Sequence, residues 1–146
     1  MKDLKDMPCE YVEHVTQVEL RAQQFYGVDS LEAVVARFHD ALEDAEKTPQ
    51  ELPAAILDYY PALSDTLVQA VIEAVEAITR RKGEVYMDYI RRLAKSPLAR
   101  RVKLLDLKQN LYWSKTDPPG DLKQRYKRAL QLLDYKIEWW SGTEHK

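Results

Sequence analysis

The chain has 146 residues, a formal net charge of -2, and 45% hydrophobic against 32% charged residues, which excludes an intrinsically disordered class and suffices for one self-contained domain. The near-neutral total hides an asymmetry, since residues 1–76 carry 16 Asp/Glu and 5 Lys/Arg while residues 77–146 carry 8 and 17. No apolar run approaches the ~20 residues of a membrane span, the N-terminus lacks the apolar core of a secretory signal, and the single Cys9 can form no internal disulfide.

Between sparse Gly and Pro residues the apolar positions follow the helical period. The expected fold is an all-α single domain of six or seven helices over residues 1–146, with a core at about 9–140 and a polar tail at 141–146. A first helix covers residues 9–26 and stops at Gly27. A second starts after Asp29 or Ser30, with Leu31, Val34, Val35, Phe38 and Leu42 as its apolar stripe. Thr48-Pro49-Gln50-Glu51 combines a capping box with proline at the first helical position, predicting a short helix that Pro61 ends. The next helix runs from about Ser64 to Arg80, with Leu67, Val68, Val71, Val75 and Ile78 inward. Gly83 separates it from a segment through Leu93, and Ser96-Pro97 opens a helix to about Trp113. A loop over 115–120 precedes a last helix carrying Leu122, Tyr126, Ala129, Leu130, Leu133, Ile137 and Trp140.

Some polar residues do not fit a simple solvated face. Helical spacing places His39, Asp40, Glu43 and Asp44 together, and carboxylates so crowded repel one another unless a cation compensates. Asp106 lies among Leu104, Leu105 and Leu107, where a carboxylate is costly unless it is paired or ligates metal. Asn110 is one helical turn further on. Of three histidines, His145 sits in the polar tail, leaving His14 and His39 as candidate imidazole ligands.

The order His14, His39-Asp40, Asp106 resembles the H…HD…D pattern of the HD superfamily of metal-dependent phosphohydrolases, which are α-helical bundles. His39-Asp40-Ala41-Leu42-Glu43-Asp44 is similar to the HDxxED element of the (p)ppGpp hydrolase branch, and Val102 through Asn110 to its VKLADxxxN element. The resemblance spans roughly residues 11–133. It implies that His14, His39, Asp40 and Asp106 bind one divalent metal, manganese in that branch, that Glu43 and Asp44 handle the attacking water, and that Asn110 contacts a nucleotide. Mixed nitrogen and oxygen ligands suit Mn, Fe, Co, Ni or Zn better than Ca. The sequence departs from the branch at Lys5 through Glu10, which lacks its guanine-binding basic pair, and at Arg37 and Ala45. Thr79 through Ile90 resembles a TRxxGExYxxYI element of small single-domain HD proteins and offers Arg80, Lys82 and Tyr86 to a phosphate.

The resulting expectation is a cytoplasmic enzyme acting on a small phosphorylated substrate, foremost a (p)ppGpp-like nucleotide, with no nucleic-acid polymer or membrane as partner. A nucleoside monophosphate or another small phosphate ester is the alternative substrate, and a nucleotide-binding scaffold without turnover the alternative class. Arg91, Arg92, Arg100, Arg101 and Lys103 read as a mainly solvated basic face, with one of them near the substrate. Tyr59-Tyr60, Tyr112-Trp113 and Trp139-Trp140 read as closures of the core at helix ends.

Overall fold

The computed structural model describes residues 9–43, 48–114 and 117–141, with side chains from residue 12 through 134 inside those ranges. Among the described residues the chain is all-helical and has no strand. The helices are α1 (Cys9–Tyr26), α2 (Leu31–Phe38), α3 (Leu52–Tyr59), α4 (Asp65–Ile78), α5 (Tyr86–Leu93), α6 (Pro97–Lys108) and α7 (Gly120–Ser141), with a π-helical turn over Gln109–Trp113 prolonging α6. No described helix is long and apolar enough to cross a membrane.

Local chemistry sets the boundaries. Gly27 ends α1 at φ 111°, a left-handed conformation that a side chain would strain. Ser30 then caps α2 by accepting the Ala33 N–H at 3.2 Å, and its hydroxyl donates to the Gly27 carbonyl at 2.7 Å. Ser64 and Ser96 cap α4 and α6 in the same way, by accepting from the Leu67 and Ala99 N–H groups; each such cap stabilises its helix by about 1 kcal/mol. The expected start of α3 is displaced. Thr48 donates its N–H and hydroxyl to Glu51 Oε1, both at 3.0 Å, but this closes a turn, and the helix proper begins at Leu52 with Pro53 in its first turn.

Two apolar clusters make the core, and α6 belongs to both. Ala99, Val102 and Leu105 join side chains of α1 to α4, while Leu104 and Leu107 join Tyr86, Tyr89, Ile90 and Leu93 of α5 and Ala129, Leu130 and Leu133 of α7. Fully buried residues such as Val71, Leu52, Ile90 and Leu133 each stabilise by about 1.5–3 kcal/mol relative to exposure. Leu67, expected inward, is 40% exposed, because α4 turns Val68, Val71 and Val75 to the core instead. The second helix also ends earlier than its apolar stripe suggests: α2 stops at Phe38 and residues 39–43 form turns, so His39, Asp40 and Glu43 do not share a helical face. Leu42 still packs on the core from that turn. At the helix ends, Tyr60 and Trp113 lie against the core as expected, whereas Tyr59 and Tyr112 are exposed. Ile137, Trp139 and Trp140 fall outside the described side chains.

The basic residues of the second half are structural fasteners more than a solvated face. Arg100 is 5% exposed and donates to the Ala94 carbonyl, closing the α5–α6 turn. Arg101 pairs with Glu32 of α2 at 2.7 Å. Arg92 caps the C-terminus of α4, donating to the Ala77 and Thr79 carbonyls at 3.2 and 2.9 Å, and Tyr89 donates its hydroxyl to the Ile78 carbonyl. Arg91 alone of these fits the solvated reading, paired with Asp88 at the surface.

Arg92 also grips Glu84 with two hydrogen bonds of 2.9 Å, and the Arg81 N–H adds a third at 3.0 Å. Together these bonds, those from Arg92 foremost, hold the Glu84 carboxyl down at about 2. A carboxyl whose folded value lies below its unfolded value near 4.5 stabilises the fold above pH 4.5 and loses that contribution as the pH falls toward 2. Glu84→Gln should therefore lower the unfolding midpoint at pH 7, and differential scanning fluorimetry should find the gap to wild type narrowing as the pH drops from 4.5.

Candidate metal centre

Three helices deliver the candidate ligands. His14 lies in the middle of α1, beside Val15 and Val18, which bury that helix in the core. His39 is the first residue beyond α2, and Asp106 is buried on α6 among the residues that enter the two apolar clusters. Their ligating atoms, one from each residue, all lie within 4.8 Å of one another, and the three residues can hold a metal ion. His14 Nε2 stands 2.7 Å from Asp106 Oδ1, the His39 Nε2 atom 3.4 Å from the same oxygen, and the two imidazole centroids are 5.5 Å apart. Asp40 touches this group from the side, with Oδ2 3.3 Å from His39 Nε2.

The surroundings fit a cation. His39 Nδ1 donates to the Ala36 carbonyl at 2.6 Å, which fixes the ring and aims Nε2 at the two carboxylates. That nitrogen is buried and makes no hydrogen bond among the described residues, the arrangement in which an outer backbone partner orients an imidazole ligand. Burial opposes charge on His39, but Asp40, followed by Asp106, outweighs it and pushes the imidazole up to about 9. Burial likewise opposes charge on Asp106, yet Lys103, His14 and His39 hold its carboxyl well below the usual range. The two carboxylates thus favour positive charge at this position, which in the metal-free chain is met by His39 and Lys103.

It opens onto a cavity of about 210 Å³ lined by His14, Asp40, Glu43, Arg80, Tyr86, Asp106 and Asn110, all anticipated from sequence. Glu43 Oε1 accepts the Arg80 N–H at 2.6 Å, tying the turn after α2 to the turn after α4. Arg80 Nε donates to the Glu84 carbonyl at 2.9 Å, which orients its guanidinium near Tyr86. Lys82, by contrast, is exposed on its turn and does not line the cavity, and Asp44 lies outside the described residues.

Lys103, Tyr89, Arg125 and Tyr126 complete the wall. Lys103 is not on a solvated face: its Nζ sits 2.8 Å from Asp106 Oδ2, and its side chain is 12% exposed. The signal was present in the sequence, because Lys103 precedes the buried acid by one helical turn. Arg125 stacks on the Tyr86 ring at 4.0 Å, a contact between α7 and α5 that no short-range pattern announces. No protein-family model matches the chain, and no curated protein matches it.

Removal of the central acid should be costly even without metal. Asp106→Ala leaves Lys103 and His14 without their carboxylate and His39 with Asp40 alone, and such a break typically costs about 3–5 kcal/mol. Urea unfolding in EDTA should show a loss of that order, whereas Asp88→Ala, which removes the exposed partner of Arg91, should change stability by less than about 1 kcal/mol.

Proposed function

We propose that this chain is a metal-dependent phosphohydrolase of the HD type, acting in the cytoplasm on a phosphorylated nucleotide. The observation that carries the reading is the convergence of His14 on α1, His39 just beyond α2 and Asp106 on α6 beside a cavity that also presents Arg80, Lys103 and Arg125. Ligands and cations in one hollow suit a reaction in which a phosphate ester is held while water attacks phosphorus. His14, His39, Asp106 and Asp40 would hold one divalent ion, manganese foremost, with Fe, Co, Ni, Zn or Mg as alternatives. When bound, such an ion supplies an acidified water and offsets charge developing at phosphorus.

The chain's own residues then divide the remaining work. Glu43, oriented by the Arg80 N–H, stands at the cavity wall to take the proton of the attacking water, with Asp44 as its neighbour in sequence. Arg80 and Arg125 offer guanidinium donors matched to phosphate oxygens. Asn110 and Tyr86 provide polar contacts to the rest of the ester. A (p)ppGpp-like pyrophosphate ester is the leading substrate. The modest cavity, below the ~300 Å³ at which drug-sized pockets begin, favours a second reading in which a nucleoside monophosphate or another small phosphate ester enters and orthophosphate leaves.

Elemental analysis of the purified protein, beside a nucleotide screen with added divalent ions and chromatographic identification of products, tests this. Wild type should retain about one ion per chain and release pyrophosphate or orthophosphate, the product choosing between the two substrates. Asp106→Ala should lose metal and turnover together, while Glu43→Gln keeps most of the metal and loses turnover by at least about 100-fold, the scale of a lost general base. An active, metal-free wild type sinks the mechanism, and metal-dependent nucleotide binding without product leaves a binding scaffold in its place.

A further inference from the structure

Lys103 contacts the candidate ligand Asp106 directly, and its placement is specific. Asp106 has two oxygens: Oδ1 faces His14 and His39, and Oδ2 is taken by the Lys103 ammonium at 2.8 Å. The lysine belongs to α6 itself, so it lies beside Asp106 whatever the other helices do. Its stem is enclosed, with the Tyr89 ring 5.5 Å from the ammonium, and its head lines the same cavity as Arg80 and Arg125.

Charge balance gives this arrangement a consequence. Asp40 and Asp106 bring two negative charges at the candidate ligands, with Glu43 a third further along the cavity wall; a divalent ion neutralises the first two, so the ammonium loses its hold on Asp106 once such an ion binds. A buried ammonium deprived of its carboxylate is expensive, but a compact charge on a four-carbon stem can swing to a new partner. The nearest role available within the cavity is to meet an incoming phosphate between Arg80 and Arg125.

Building on the phosphohydrolase reading, we propose that Lys103 is a positioning cation with two partners: it neutralises Asp106 in the metal-free chain, and on metal binding it is released into the cavity to bind the phosphoryl oxygens of the substrate. Metal and phosphate then assist one another, because each removes the cost of the other's arrival, and this coupling is reciprocal. An ordinary structural lysine predicts no such linkage.

The test uses the full chain, stripped with EDTA and titrated calorimetrically, first with Mn²⁺ alone and then, when Mn-loaded, with inorganic phosphate. Lys103→Met should bind Mn²⁺ about tenfold more tightly than wild type and bind phosphate about tenfold more weakly, the scale of one charge-assisted hydrogen bond gained or lost. Lys103→Gln, which keeps a donor for Asp106 without the charge, should shift both affinities in the same directions and serves if the Met variant fails to fold. Lys103→Arg should retain phosphate binding within a few-fold. Unchanged or weaker Mn²⁺ binding in both neutral variants overturns the proposal, leaving Lys103 as a support for Asp106. Wild type that binds no divalent ion overturns it together with the metal reading, whereas wild type that binds Mn²⁺ with affinities indifferent to Lys103 overturns this inference alone.

Discussion

A buried carboxylate is the constraint around which this fold is arranged. Asp106 is 5% exposed in a helix that contributes to two apolar clusters, and an ionised acid there is tolerable only if its oxygens are matched. The match comes from His14 on α1, His39 beyond α2 and Lys103 on α6 itself. Satisfying one side chain thus specifies how α1 and the end of α2 meet α6. The polar centre and the apolar core are built from the same helix, since Asp106 lies among the α6 residues that enter the two clusters.

The remaining charges fall into two groups by the elements they join. Glu32 with Arg101 and Glu19 with Arg37 tie helices in the first cluster, and Tyr60 donates to Glu19 at 2.5 Å to bring the end of α3 into the same network. Arg92 with Glu84 shapes the turn after α4 and caps that helix. These pairs leave Arg80 oriented by its own turn and Arg125 resting on Tyr86, so these two cations, unlike Lys103, are held by contacts independent of the candidate ligands. The asymmetry between acidic and basic halves becomes partly intelligible here, because the Glu32–Arg101 ion pair joins one half to the other.

Much of the fold was legible because its punctuation is local. Gly27, Ser30, Ser64 and Ser96-Pro97 act within three or four residues, and each marks a boundary that the structure keeps. Where periodicity was extended too far, the cause is also physical. The stripe from Leu31 to Leu42 continues in sequence after the helix has ended, because Leu42 reaches the core from a turn. The site divides along the same line. His14, His39, Asp40 and Asp106 were readable as residue types that an apolar helical surrounding must justify, and Lys103 could have been read beside Asp106. Tyr126 lies on the inward stripe read for the last helix and does line the cavity, whereas Arg125 reaches it only because α7 packs on α5 and α6, which no local pattern encodes.

The contact between His14 and Asp106 spans 92 positions of chain. During synthesis the acidic half emerges first, carrying His14, His39 and Asp40 without the acid that completes the centre. Ribosomal order therefore separates the first candidate ligands from the last, and a nascent chain holds only a partial set until α6 has emerged. The centre is therefore made by a long-range contact, which forms only when α1 and α6 are brought together and not by local helix formation.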